Sequence, residues 1–211
     1  MPQLRLTYFD GAGRAEPVRI ALSVAKVPFE DRRVKFPEFA AMKQGGELPL
    51  GSLPVLEVDG RPLVQTAAML RYAAHLGGGG LYPSDPRAAF VVDSVIDTFN
   101  DTVSHALTPS LFERDQEKKL EMRRALLAGP LSAALRYVEG LLAESPGPFL
   151  TGPTLTVGDI VLGVTVQQYR SGTLDGLGPE ILEPYPRLRA LADAYAAHPG
   201  VAAYAAARAA A

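Results

Sequence analysis

The chain has 211 residues, with 21 Lys+Arg against 23 Asp+Glu, 47% hydrophobic residues, three histidines, no cysteine and no tryptophan. That size allows one large domain or two small ones around a sizeable core, and a net charge of −2 gives no general attraction to nucleic acid or anionic membrane. The missing cysteine excludes disulfides, cysteine-ligated zinc, iron–sulfur clusters and any thiol nucleophile of the chain's own, so thiol chemistry must arrive on a substrate.

Residues 3–9 (QLRLTYF) alternate apolar and polar, as a strand does. Gly11 and Gly13 break it, and Pro17 opens a helix to about residue 25. Residues 29–34 read as a second strand, and 36–46 as irregular chain with at most a helical turn. Asp59-Gly60 between 55–58 and 61–64 predicts a hairpin. A helix capped by Thr66 runs over 66–76. The order β-α-β then β-β-α predicts a four-stranded mixed sheet with helices. The glycine-rich stretch 77–86 (GGGGLYPSDP) reads as a linker, and beyond it only helices are expected, over 88–112, 117–143, 156–168, 185–197 and 200–209. Thr156 to Asp159 should form a capping box. Phe90, Phe99 and Met122 are expected in the core, and the three histidines in structural roles. Residues 1–6 lack the long apolar core of a signal peptide, and no run of about 18 apolar residues long enough to span a bilayer is read, so no targeting segment is expected. A soluble cytoplasmic protein without nucleic-acid or membrane partners is therefore expected.

Chemistry concentrates in the first 66 residues. Tyr8 ends a strand beside a glycine turn, with Arg14 at the start of the next helix; strand ends facing helix starts hold ligands in open α/β sheets. A proline directly before a strand, as in Ser52-Leu53-Pro54-Val55, can be cis and leave the Leu53 backbone free to pair with an extended peptide. Thr66 starts a helix, where N–H groups and the helix dipole favour a carboxylate. With Lys43 as a second cation, a small anionic peptide is the implied ligand.

Leu6-Thr7-Tyr8-Phe9-Asp10, residues 13–19 (GRAEPVR), residues 53–60 (LPVLEVDG) and Gln65-Thr66 resemble the N-terminal domain of cytosolic glutathione transferases, most closely the tyrosine-type, sigma-like class. The similarity continues through Leu81-Tyr82-Pro83, residues 93–101, 149–159 and 186–205. It implies a thioredoxin-like α/β domain (1–78), a linker (79–86) and an all-α domain (87–211) that contributes the electrophile site, assembled as a homodimer. Glutathione is then a cosubstrate, with no permanently bound cofactor. By resemblance, Tyr8 is the catalytic hydroxyl, with Arg14 adding positive potential. Leu53 and Pro54 hold the peptide backbone, and Gln65 and Thr66 the γ-glutamyl carboxylate. Lys43 and Phe39 lie at the glycine end, and Asp101 reaches the γ-glutamyl amine of the other subunit. Phe9, Gly13, Val103 and Leu107 are expected at the electrophile site.

Four residues depart from the family pattern. Phe39 replaces a usual tryptophan, and Ser52 a longer Lys or Gln. Thr108 and Asn100 depart from prostaglandin D synthase, a sigma relative, where a tryptophan and a metal-binding acidic run stand; no metal site is expected. The implied activity is attack of the glutathione thiolate on hydrophobic electrophiles. The alternatives are a glutathione-dependent isomerase or peroxidase, or a non-catalytic, crystallin-like protein.

Overall fold

A computed structural model of the chain describes residues 1–77 and 80–210. Strand β1 (Leu4–Phe9) lies inside a sheet of order β2-β1-β3-β4, with β2 at Glu30–Val34, β3 at Val55–Val58 and β4 at Arg61–Leu63. β1 pairs parallel with β2 and antiparallel with β3, and β3–β4 is the expected hairpin. Its turn has positive φ at both Asp59 (49°) and Gly60 (77°), as a two-residue primed turn requires. Helices α1 (Glu16–Val24) and α3 (Thr66–Leu76) cover one face of the sheet, packing Leu22, Met69 and Leu70 on Leu4, Leu6 and Leu56. Helix α2 (Phe36–Gln44) covers the other, where Met42 joins Val34, Leu48 and Val55.

The remaining elements are helical: α4 (Pro86–Asp97), α5 (Ser104–Phe112), α6 (Gln116–Leu126), α7 (Ser132–Glu144), α8 (Val157–Arg170), α9 (Pro186–Ala197) and α10 (Pro199–Ala209). Helix α8 is the hub, and its start carries the expected capping box of Thr156 and Asp159. Gly163 lets the Tyr195 ring of α9 lie against the α8 backbone, where a Cβ would overlap it. One buried cluster runs from α1 and α3 through α4, α7, α8 and α9.

Several expectations need correcting. Residues 36–46 hold a nine-residue helix rather than irregular chain. Of this helix only Met42 is buried, so no apolar period marks it; its start is signalled by Pro37 and Glu38 in the first turn and its end by Lys43. Thr66 is the first helical residue, not the cap; Gln65 precedes it at φ 78° and supplies no side-chain cap. The long helix over 88–112 is α4 and α5 joined by a π-helical segment, Thr98–Val103. A second such segment, Leu127–Leu131, carries Pro130 and fuses α6 and α7 into 29 residues. By length and composition that rod, alone among the helices of the described residues, could cross a membrane, contrary to expectation, but Leu131, Leu135, Val138 and Leu142 are buried in the protein core. Phe90 is 70% exposed and not core, because α4 turns it away from α8. The expected boundary at residues 78 and 79 lies outside the described residues.

Candidate functional site

The site grows from the end of β1. Gly13 sits at φ +43°, and a Cβ there would stand 2.5 Å from the Tyr8 hydroxyl. Only glycine lets the chain pass this close to the phenol in this conformation. The next residue uses the approach: the Arg14 N–H donates to the Tyr8 oxygen at 3.2 Å. With that lone pair occupied, the phenolic proton is free to point outward to a ligand. The Arg14 guanidinium turns across to the helical part, where Nη2 donates to Thr108 Oγ1 at 3.1 Å. Thr108 in turn donates to the Ser104 carbonyl at 2.6 Å.

Beneath this turn lies Arg19, which the sequence reading did not single out. Its side chain is buried and donates to the Gly11 (2.7 Å), Ala12 (3.3 Å) and Phe9 (3.5 Å) carbonyls, and to Asp31 (2.9 Å). Its guanidinium carbon lies 5.8 Å from the centre of the Tyr8 ring. One local sign existed: in EPVRIALSV an arginine interrupts an apolar stripe three residues after a glutamate.

The peptide-binding candidates gather on the α2 side of the sheet. Phe9 stacks on Phe36 at 4.8 Å and meets Phe39 edge-on at 5.1 Å. Phe9, Phe39, Leu53 and Val64 all pack on the Val34–Met42–Leu48–Val55 cluster. That cluster therefore brings together the neighbour of Tyr8, the aromatic of α2, the residue before Pro54 and the chain leading into Gln65. The Leu53–Pro54 bond is cis. Neither the N–H nor the C=O of Leu53 is hydrogen-bonded among the described residues. Ser52 and Gln65 are exposed and Thr66 is half-buried at the α3 N-terminus. Lys43 is exposed in the last turn of α2, its stem facing Gly51.

The electrophile candidates are dispersed. Gly13 is exposed, Phe9 faces α2, and Val103 and Leu107 are buried in the helical core at 3% and 8% exposure. Asp101 is exposed between α4 and α5 and joins none of these contacts. Two surface concavities, of about 380 and 370 Å³, lie apart from this cluster, between α4 and α7 and beside α10. Both lack Tyr8, and the chemistry of Tyr8 and the free Leu53 backbone locates the candidate site better than concavity does.

Comparison with known proteins agrees with the fold. The family models for the glutathione S-transferase N-terminal and C-terminal domains match residues 4–75 and 100–208. The chain belongs to the glutathione S-transferase family. It is 34% identical to glutathione S-transferase 1 of Ascaris suum, over 90% of this chain and 88% of that protein. It is 30% identical to hematopoietic prostaglandin D synthase of Gallus gallus, over 97% and 96%. Among solved structures it superposes at TM-score 0.79 on monomeric Na-GST-3 of Necator americanus, at 29% identity over 98% and 97% of the two chains. The fold is the transferase fold, a four-stranded mixed sheet followed by helices, and its curated relatives include named transferases.

Proposed function

We propose that this transferase activates glutathione through Tyr8, for attack of the thiolate on hydrophobic electrophiles in the cytoplasm. The observation that carries the reading is the Arg14 N–H donated to the Tyr8 oxygen at a turn that only glycine can make. That contact leaves the phenolic proton to donate to sulfur. A thiol of pKa about 8.5–9 is only a few per cent thiolate at neutral pH. Lowering it by ~2 units requires ~2.7 kcal/mol of preference for the charged form. A hydrogen bond to a charged group contributes about 1.5–3 kcal/mol, and the Arg14 backbone and guanidinium add positive potential. The tripeptide would pair its backbone with Leu53, set its γ-glutamyl carboxylate on Gln65 and Thr66, and extend its glycine end towards Lys43, Phe39 and Ser52. Residues 1–78 would thus hold glutathione, and 87–211 would contribute the electrophile site facing Gly13, with Val103 and Leu107 buried behind it rather than lining it.

Glutathione conjugation to an aromatic chloride tests the reading. Tyr8→Phe should lower kcat/KM by about 10²-fold or more, the loss expected for a donor aimed at developing charge. Equal activity in both proteins refutes the role of Tyr8, and binding without conjugation in wild type refutes the enzyme. The prostaglandin D synthase likeness supports a second reading, a glutathione-dependent isomerase on the same site; turnover of prostaglandin H2 distinguishes it. We also propose a homodimer in which Asp101 completes the partner's glutathione site. The exposed Phe90 of α4 supports such a face. Phe90→Ser should shift the mass in light scattering from dimer to monomer, and a wild-type monomer removes the shared site.

A further inference from the structure

Between Ala202 and Ala211 every residue is alanine except Tyr204 and Arg208. Four residues apart, the two share one face of α10. Among the described residues that face meets one carboxylate, Glu16 at the start of α1, which is 6% exposed. Arg208 pairs with Glu16 Oε1 across 192 residues of chain. The Tyr204 hydroxyl is pushed up to about 12 by burial and by the facing Glu16 charge. The second oxygen, Glu16 Oε2, accepts from Arg19 Nη1 at 3.4 Å. Arg19 holds the Phe9, Gly11 and Ala12 carbonyls, and so the turn from which Gly13 and the Arg14 N–H reach Tyr8.

We propose that Arg208 is a positioning residue for Tyr8, acting through Glu16 and Arg19. The inference rests on Tyr8 as the thiol-activating group. A buried carboxylate held between two guanidiniums keeps both in place. Without Arg208, Glu16 is left to Arg19, and the pull on Arg19 competes with its bonds to the three carbonyls. The turn then loosens, and the Tyr8 hydroxyl with it. The last helix, made mostly of a residue with nothing to contribute but helix propensity, would thus help set the acidity of a thiol at the far end of β1. Arg208 and Glu16 also line the concavity of about 370 Å³ beside α10, so shortening Arg208 admits water there and leaves the buried core untouched.

The test uses the full chain: Arg208→Ala, Arg208→Lys, Glu16→Gln and the Arg208→Ala/Glu16→Gln double variant. The readouts are thiolate absorbance of bound glutathione against pH, and kcat/KM with an aromatic chloride. Arg208→Ala should raise the thiol pKa by about 0.3–0.7 and lower kcat/KM near pH 6.5 about two- to four-fold, with KM for glutathione within about two-fold. Arg208→Lys should recover at least half of that loss. The double variant should be no worse than Glu16→Gln alone, because the two residues act in series. Arg170→Ala, which breaks the exposed pair with Asp193, should change nothing. A thiol pKa in Arg208→Ala within about 0.1 of wild type overturns the proposal, as do additive losses in the double variant. Should Glu16→Gln fail to fold, the Arg208→Ala and Arg208→Lys pair decides. If Tyr8→Phe leaves the thiol pKa unmoved, the assignment of Tyr8 fails instead, whatever Arg208 does.

Discussion

Replacing Gly13 by alanine isolates the contact on which the proposed chemistry depends. The new Cβ would stand 2.5 Å from the Tyr8 hydroxyl and 2.7 Å from a ring carbon. Nonbonded carbon and oxygen do not approach closer than about 3.0–3.4 Å, so the phenol must retreat by about 0.5–0.9 Å. The backbone at φ +43° adds strain of about 1 kcal/mol for any residue with a Cβ. Misplacing a reacting group by about 1 Å can cost about 10²-fold, so kcat/KM should fall by about 30–100-fold, or ~2–2.7 kcal/mol of transition-state stabilisation. A loss of about 1–2 kcal/mol of stability should lower Tm by about 2–8 °C in a chain of this length. The assay is conjugation to an aromatic chloride, with thiolate absorbance titrated in the enzyme–glutathione complex. Gly172→Ala is the control: its φ is +66° and a Cβ there meets nothing within 4 Å. It carries the same kind of strain without touching Tyr8, and should keep full activity. The reasoning is refuted if Gly13→Ala keeps its thiol pKa and kcat/KM within about two-fold of wild type, or if Gly172→Ala loses as much.

Thr108→Val keeps the side-chain shape but removes the acceptor of Arg14 Nη2; the loosened cation should cost about two- to five-fold in kcat/KM, seen in the same assay, while the melting curve stays put. Burial pushes the Asp159 carboxyl up to about 6, against the pull of the Thr156 and Leu150 donors. A carboxyl raised in the fold stabilises it at low pH, and that contribution is lost as pH rises from about 4 through about 6. The Tm gap between wild type and Asp159→Asn should therefore narrow from pH 4.5 to pH 7; a gap that widens would mean that the donors outweigh burial. Gly163→Ala drives a methyl into the Tyr195 ring, and overpacking of about 1–3 kcal/mol should appear as a lower denaturant midpoint. An unchanged midpoint would show that α9 can shift freely.

Local chemistry in the sequence sufficed for the sheet, the hairpin, the capping box and most helices. Asp59-Gly60 needs only its own two positive φ angles, and Thr156 with Asp159 only one helical turn. Tyr8, Leu53, Pro54 and Gln65 could be singled out as candidates because each sits at an end of such an element. Helix α2 escaped because its period is hidden: one buried methionine makes no stripe. Phe90 escaped for the opposite reason, since an apolar residue at helical spacing says which face it occupies but not what, if anything, covers that face.

The tertiary structure alone decided the relations between distant charges. Arg14 could be placed at a helix start, but its swing to Thr108, 94 residues away, depends on how α5 docks over the sheet. Arg19 is one arginine among many until folding buries it against three carbonyls and two carboxylates. Turns and caps are settled by energies within a few residues. The partner of a buried charge is settled by which surfaces are excluded from water together, and that emerges only when the whole chain packs.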